Sequence, residues 1–93
     1  MLAIPKAKSK NIYDITEEDL KRLCIIVKKI AEMQKIAFGS AGAKIIHNCE
    51  SEAGQVVFHT HFHIIPYFAE NKTMPDSLNS KEKQAEAVRK LLV

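Results

Sequence analysis

The stretch AGQVVFHTHFHIIPY, residues 53–67, decides the fold and sets the chemical question, because it carries a histidine at every second position of an apolar run. Its β-branched and aromatic residues predict a strand over residues 56–66 that ends at a proline. Side chains alternate across a strand, so the imidazoles are predicted to share one face, each about 6.5 to 7 Å from the next. They belong to His59, His61 and His63. The intervening residues, Val56, Phe58, Thr60, Phe62 and Ile64, are predicted to pack against a helix.

Two more strands complete the predicted sheet. The opening MLAI, residues 1–4, is a short apolar run stopped by a proline, and AKIIHNC, residues 43–49, has the composition of a strand. The segment ESEAGQ, residues 50–55, joins that strand to the histidine strand as a turn, so the two strands form an antiparallel hairpin.

A long amphipathic helix is predicted from about Thr16 to Ala37. The Thr16 hydroxyl can cap the first amides, and the acidic residues that follow it suit the positive end of the helix dipole. Apolar or small side chains then recur with helical spacing at Leu20, Leu23, Cys24, Val27, Ile30 and Ala31. Ser80 can cap a C-terminal helix, whose apolar positions are Ala85, Val88, Leu91 and Leu92. The order of elements predicts an α+β fold, an antiparallel sheet with one long and one C-terminal helix, in a single domain over residues 1–93.

Composition excludes several classes of function. Lysine and arginine number 14 against 11 aspartate and glutamate, a net charge of +3 that is far below the charge density of a dedicated nucleic-acid binder. No apolar run resembles a signal sequence or approaches the roughly 20 residues of a membrane span. Cys24 and Cys49 form no Cys-x-x-Cys pair, so neither a disulfide framework nor a thiolate zinc site is indicated. A cytoplasmic protein without nucleic-acid or membrane partners is therefore expected.

The histidines alone leave three interpretations open. They can line a half-exposed sheet face, where imidazole is tolerated. They can bind zinc, since histidines two apart on a strand can share one ion and His47 on the neighbouring strand could join them, although the outer pair lies about 13 Å apart. They can perform covalent catalysis at phosphorus, because a neutral imidazole is a competent nucleophile and its neighbours can hold phosphoryl oxygens and protonate a leaving group.

The segments around the histidines favour a phosphorus substrate. Asn48 and Gln55 place neutral hydrogen-bond donors at the two ends of the hairpin turn. The connection after the first strand carries Lys6, Lys8 and Lys10. These lysines could meet a phosphate, but a solvated connection is the default expectation for exposed lysines.

The run HTHFHIIP resembles the signature of the histidine triad (HIT) superfamily of nucleotide hydrolases and transferases. The segments LAIPK and KNIYDITEEDL, the long helix, and an asparagine followed by AGQVVFHTHFHIIP resemble the later part of a HIT domain in sequence and spacing. The resemblance implies that the central histidine attacks the α-phosphorus of a nucleoside phosphate or phosphoramidate. A nucleotidyl-histidine intermediate then passes the nucleotide to water or another acceptor. No cofactor and no metal ion is implied.

Carried onto this chain, the resemblance gives a role to five residues. His61 would be the nucleophile, His63 would assist the leaving group or contact the phosphoryl oxygens, and His59 would orient and polarise the site. Asn48 and Gln55 would bind phosphate oxygens. The family fold is an antiparallel sheet flanked by helices, and it often pairs through the long helix and a sheet edge, so a homodimer is expected.

This chain also departs from the usual HIT pattern. HIT domains usually begin with a helix and two strands that contact the base and the ribose, whereas this chain starts at what resembles the third strand, so half of the nucleoside pocket is expected to be absent. Lys8 stands where many members have a further histidine, Glu50 where a glycine is common, and Tyr67 where an arginine often follows. A carboxylate beside a phosphate repels it unless it turns away or is neutralised. The alternative to an enzyme is thus a degenerate, non-catalytic HIT module that binds a nucleotide or a partner protein.

Overall fold

The computed structural model describes residues 1–70, 73, 80, 82 and 83. Its elements are the strand β1 (Leu2–Ala3), the helix α1 (Glu17–Phe38), the strand β2 (Gly42–Ile46), a 3-10 turn (Ser51–Ala53) and the strand β3 (Phe62–Tyr67). The predicted α+β fold with an antiparallel sheet and a long helix is therefore confirmed. Within the described residues, no helix combines the length and the apolar character needed to cross a membrane.

The sheet has three strands in the order β1-β3-β2, so β3, which contains the last of the three histidines, lies at its centre. Both pairings are antiparallel, with Ala3 opposite Phe62 on one side and Ile45 opposite Ile64 on the other. A central strand has neighbours for the backbone groups on both of its edges, which makes β3 the most constrained strand of the sheet.

The helix begins and ends where local chemistry predicts. The Thr16 hydroxyl accepts a hydrogen bond from the Asp19 amide at 3.1 Å, the contact of an N-cap. Gly39 ends the helix in the left-handed conformation at φ 72°, and its N–H donates to the Lys35 carbonyl at 3.1 Å. The predicted helix over residues 16–37 is thus correct to within one residue at each end.

The apolar stripe of α1 covers one face of the sheet. The buried cluster consists of Ala3, Leu23, Val27, Ile30 and Ile64, with Ile15, Ala31 and Phe62 packed against it. The buried Gln34 side chain also donates to the Ile64 carbonyl at 3.0 Å. Helix and central strand are therefore joined by apolar packing and by a polar contact, and together they fix the position of β3.

The predicted third strand is wrong over its first half. β3 starts only at Phe62, and it runs through Pro66 to Tyr67 instead of stopping at the proline. Pro66 is tolerated because its nitrogen lies on the side of β1, beyond the residues that β1 pairs, so no ladder hydrogen bond is lost. The segment before Phe62 leaves the ladder because β1 ends ahead of Pro5.

The predicted apolar face of this segment is accordingly correct only in part. Thr60 and Ile64 are fully buried and Phe62 packs against the core. Val56 and Phe58 were predicted to pack against a helix, but they are 84% and 52% exposed. The alternating pattern of the sequence extends to residues that precede β3 and lie outside the sheet. There, Val56 and Phe58 face solvent and not the helix.

Part of the predicted C-terminal helix lies outside the described residues. The Ser80 hydroxyl accepts a hydrogen bond from the Lys83 amide at 3.2 Å, as an N-cap would. The apolar positions predicted for that helix, Ala85, Val88, Leu91 and Leu92, lie outside the described residues.

The predicted turn over residues 50–55 is confirmed, and it contains a strained residue. Glu50 has φ 73° and ψ 159°, a conformation that is nearly restricted to glycine. Its carbonyl accepts from the Ala53 amide at 3.1 Å and the Gln55 amide at 3.0 Å, so the turn holds it there. Gly54 closes the turn at φ 92°.

The strain at Glu50 predicts that Glu50→Gly unfolds at a higher temperature than Glu50→Gln, by several degrees. Both substitutions remove the carboxylate, but only glycine adopts this conformation without a steric cost. Thermal unfolding followed by circular dichroism measures the difference. Equal midpoints for the two variants, or a lower midpoint for the glycine variant, would show that the position carries no strain.

Candidate active site

The histidines do not form the evenly spaced row predicted from strand geometry. Of the three, His63 alone lies in β3, and His59 and His61 lie in the irregular segment before it. The rings of His61 and His63 meet edge to face, with centroids 5.0 Å apart and an interplanar angle of 80°. The His59 ring points elsewhere, with Nε2 3.4 Å from the Pro5 carbonyl oxygen. The structure thus brings His61 and His63 together and places His59 against the connection after β1.

The ring of His61 is held in one orientation by the backbone of its own segment. Its Nδ1 lies 2.7 Å from the His59 carbonyl oxygen. A carbonyl oxygen only accepts, so Nδ1 must carry the hydrogen, and in the neutral ring Nε2 keeps its lone pair. The His59 carbonyl is free for this contact because residues 59–61 precede the ladder. In a neutral His61, Nε2 therefore carries the lone pair.

His47 holds the same segment from the neighbouring strand. The Ile12 amide donates to His47 Nε2 at 3.1 Å, so Nε2 carries the lone pair and Nδ1 carries the hydrogen. That Nδ1 lies 3.1 Å from the His61 carbonyl oxygen and donates to it. The ring also stacks on Phe62, with centroids 4.9 Å apart. The sequence indicated His47 only as a possible further metal ligand, whereas its contacts make it a support for His61.

Gln55 is part of the framework and has no hydrogen left for a ligand. Its side chain is buried, and Oε1 accepts from Asn11 Nδ2 at 3.0 Å and from the Glu50 amide at 2.8 Å. Its Nε2 donates to the carbonyls of Lys10 at 2.7 Å and Val57 at 3.0 Å. Both amide hydrogens are used within the protein. The phosphate contact predicted for Gln55 is therefore not available in this conformation.

Asn48 keeps the capacity that Gln55 lacks. Its side chain is partly exposed and makes no hydrogen bond to any other described residue. Its Nδ2 lies 3.7 Å from the place that a Cβ on Gly54 would occupy, so the amide faces the glycine of the turn. The phosphate-binding role of Asn48 stays a prediction, and its N–H groups are free for it.

The carboxylate of Glu50, expected to repel a phosphate, is paired with a cation. Lys10 Nζ lies 2.9 Å from Glu50 Oε2. The hydrogen bond with Lys10 lowers the pKa of Glu50, and the same contact raises the pKa of Lys10. The lysine ammonium also lies 5.2 Å from the centroid of the Phe58 ring. The charge of Glu50 is thus balanced by a lysine of the connection between β1 and α1.

Metal binding by the histidines finds no support in the described part of the chain. There, no group of three or more histidine, cysteine, aspartate or glutamate side chains converges on one point. His61 and His63 approach edge to face, and both nitrogens of His47, Nε2 of His59 and Nδ1 of His61 face backbone groups. The zinc interpretation therefore rests on the sequence pattern alone.

His63 is held in its neutral form. Burial lowers its pKa below the ordinary value, and the neighbouring His61 and the terminal ammonium act in the same direction. As the pH falls below the unfolded value of about 6.5, the unfolded chain takes up a proton before the folded chain does. His63 therefore reduces stability as the pH falls through this range and has no such effect at higher pH.

Removing His61 should raise the pKa of His63. The variant His61→Ala takes away a neighbouring charge and opens the ring to water, and both changes favour the imidazolium form. Proton NMR titration of the imidazole C–H signals measures the pKa in both proteins. A His63 pKa that stays the same or falls in the variant would contradict this account of its environment.

The His47 contacts predict a second spectroscopic result. His47→Phe keeps a ring on Phe62 but removes both nitrogens, and His47→Asn supplies a donor and an acceptor of similar separation. We expect long-range ¹⁵N NMR spectra to show His61 with its hydrogen on Nδ1 in the wild type and in His47→Asn. His47→Phe should give a mixture of tautomers. The same single tautomer in all three proteins would show that His47 does not position His61.

Comparison with known proteins identifies the family and the fold of this chain. The HIT domain model matches residues 1–70. An uncharacterised HIT-like protein of Saccharolobus solfataricus is 37% identical over 86 residues, which cover 91% of this chain and 62% of that protein. An asymmetrical bis(5'-nucleosyl)-tetraphosphatase of Schizosaccharomyces pombe is 30% identical over 86 residues, covering 88% of this chain and 47% of the yeast protein.

A solved structure agrees with the sequence relatives. The crystal structure of a hypothetical histidine triad nucleotide-binding protein from Sulfolobus tokodaii superposes with a TM-score of 0.79 at 31% identity. The superposition covers 95% of this chain and 63% of that one. The chain therefore spans less than two thirds of the length of these relatives. Because the HIT domain model matches residues 1–70 and a HIT-like relative is 37% identical over 91% of this chain, the chain belongs to the HIT domain family.

Proposed function

We propose that this chain carries the catalytic histidines of a nucleotide hydrolase or nucleotidyltransferase that acts on a nucleoside phosphate or phosphoramidate. The contact of His61 Nδ1 with the His59 carbonyl, at 2.7 Å, carries the proposal. It leaves the lone pair on Nε2, the atom that must attack phosphorus. Family membership supports nucleotide chemistry, since one relative is a bis(5'-nucleosyl)-tetraphosphatase and another is described as a nucleotide-binding protein.

The reaction proceeds in two displacements. His61 Nε2 forms a bond to phosphorus while the bond from phosphorus to the leaving group breaks; the departing atom keeps the electron pair, and a departing amine also takes up a proton from solvent. Water or another acceptor then attacks the phosphorus, loses its proton to solvent and breaks the phosphorus–nitrogen bond, which returns the neutral imidazole and releases the nucleotide. Two easier steps thus replace one difficult displacement.

The neighbouring side chains divide the remaining work. His63, whose lowered pKa keeps it neutral, can donate one N–H to a phosphoryl oxygen or to the leaving group. Asn48 has free N–H groups for phosphate oxygens. His59 orients His61 through its carbonyl. Gln55, which the resemblance implied as a phosphate ligand, instead holds the turn in place.

Pairing with a second copy stays a prediction. Three isoleucines on α1, Ile25, Ile26 and Ile36, are 55%, 43% and 66% exposed. An apolar surface of this kind favours association through the helix. A cytoplasmic location also stays a prediction.

Intact-mass spectrometry after brief incubation with a reactive nucleoside phosphoramidate tests the proposal. The wild type should gain the mass of one nucleotidyl group, because the intermediate is covalent. His61→Ala should gain none, and His63→Ala should gain it more slowly because only an assisting group is lost.

Three results of that experiment would go against the proposal. An adduct that persists in His61→Ala would place the nucleophile elsewhere. Equal rates of adduct formation in the wild type and in His63→Ala would show that His63 does not assist the reaction. Nucleotide binding without an adduct or turnover in the wild type would favour the non-catalytic module.

A further inference from the structure

A pair of hydroxyl groups joins the histidine segment to the connection between β1 and α1. Ser9 Oγ lies 2.5 Å from Thr60 Oγ1, and either hydroxyl can donate the hydrogen bond. Beside them, the Thr60 amide donates to the Ser9 carbonyl at 2.9 Å. Thr60 is fully buried, and Ser9 is partly exposed. Two residues that lie 51 positions apart in sequence are thus held together by a main-chain and a side-chain hydrogen bond.

The main-chain bond fixes the orientation of the peptide unit between His59 and Thr60. A trans peptide unit is planar, and its C=O and N–H groups point in opposite directions. Among the described residues no peptide bond is cis. Because the Thr60 N–H points to the Ser9 carbonyl, the His59 carbonyl of the same unit points away from Ser9. That carbonyl oxygen lies 2.7 Å from His61 Nδ1, so the contact with Ser9 sets the direction of the oxygen that receives the His61 hydrogen.

This peptide unit depends on Ser9 because no strand partner reaches it. β1 ends at Ala3, which lies opposite Phe62. The peptide unit after His61 has a separate support, since His47 Nδ1 lies 3.1 Å from the His61 carbonyl oxygen. The peptide units on the two sides of the His61 ring are therefore each held by a residue from another part of the chain.

Ser9 can hold the histidine segment because the backbone next to it is anchored. The Lys10 carbonyl accepts from Gln55 Nε2 at 2.7 Å, and Gln55 is buried. The Lys10 amide donates to both carboxylate oxygens of Asp14 at 2.9 Å. Ser9 is thus attached to a connection that the hairpin turn and the residues before α1 keep in place.

We propose that Ser9 and Thr60 are positioning residues, whose hydroxyl pair holds the 59–60 peptide unit so that neutral His61 keeps its hydrogen on Nδ1 and its lone pair on Nε2. The effect on catalysis rests on the proposed function, whereas the effect on the tautomer does not. Without the hydroxyl pair, the peptide unit is free to rotate and the His59 carbonyl leaves Nδ1. The ring hydrogen then exchanges through solvent to Nε2, where it blocks attack on phosphorus.

Long-range ¹⁵N NMR spectra at alkaline pH, where the imidazoles are neutral, test the proposal. Thr60→Val removes the hydroxyl and keeps a side chain of similar shape, and Thr60→Ser keeps the hydroxyl. Thr16→Val is the control, because it removes the hydroxyl that caps α1 and so destabilises the protein at another place. We expect nearly all of the neutral His61 to carry its hydrogen on Nδ1 in the wild type, Thr60→Ser and Thr16→Val, and about half or less in Thr60→Val.

The rate of adduct formation with a nucleoside phosphoramidate tests the consequence for catalysis in the same proteins. Thr60→Val should lower the limiting rate constant by about threefold to tenfold and change the half-saturating concentration by less than about twofold, because the attacking ring is altered and the nucleotide contacts are not. Thr60→Ser should restore the wild-type rate constant, and Thr16→Val should retain it.

Two results would overturn the positioning role. The first is a wild-type tautomer in Thr60→Val, and together with a normal adduct rate it would leave the proposed function standing. The second is an equal change of tautomer in Thr16→Val, which would show that lost stability alone moves the hydrogen. Ser9→Ala removes the same pair from its partly exposed side and decides the question if Thr60→Val does not fold. A shifted tautomer in Thr60→Val, in a protein whose wild type forms no adduct, would support the positioning role and refute the catalytic proposal.

Discussion

The structure depends on one constraint, the loss of a backbone donor at Pro5. A proline cannot extend the ladder, so β1 stops at Ala3 and the backbone before Phe62 must find other partners. It finds them in the connection after β1, where the Ser9 carbonyl meets the Thr60 amide and the Lys10 carbonyl meets the Gln55 side chain. The segment is therefore well held without being a strand. Its irregular backbone turns the His59 carbonyl toward the ring of His61, a contact that the alternating side chains of a regular strand would not favour.

The charges around the histidines are unevenly distributed. Glu50 is paired with Lys10, Glu52 of the same turn has no cationic partner among the described residues, and β3 contributes a His63 whose pKa is lowered by burial. The connection after β1 retains its positive charge at Lys6 and Lys8. A phosphate ester at the histidines would thus meet neutral donors, which position it without a strong ion pair, while charge is concentrated to one side. Because Lys10 pairs with it, Glu50 should repel a phosphate less than its position in the sequence indicated.

The elements with a local cause were predictable from the sequence, and those set by distant partners were not. The cap at Thr16 and the end at Gly39 depend on contacts within a few residues, so the helix was predicted nearly in full. The histidine spacing likewise predicted that His61 and His63 lie close together, because both belong to one short segment, and their catalytic roles stay a prediction. Alternation could not reveal where the strand begins, since that depends on how far β1 extends, and Val56 and Phe58 were therefore placed wrongly.

The roles of Gln55 and His47 could not be predicted from the sequence either. Gln55 satisfies groups on Asn11 and Lys10, and His47 connects Ile12 with His61, so each role depends on residues far away in sequence. The sequence around a glutamine in a turn does not indicate which backbone groups will form hydrogen bonds with its side chain. The only available signal was indirect, namely that a backbone freed from the ladder at Pro5 requires polar side chains to satisfy it.

The imidazoles of this site are oriented by main-chain carbonyls and not by carboxylates. His47 donates to the His61 carbonyl, His61 donates to the His59 carbonyl, and His59 Nε2 lies near the Pro5 carbonyl. A carbonyl fixes which nitrogen carries the hydrogen without adding a negative charge beside the ring. This difference matters for the nucleophilic role proposed for His61, because a carboxylate at the same place would repel an anionic phosphate. The site therefore combines a single tautomer with low negative charge, and the departure of β3 from the ladder makes both possible.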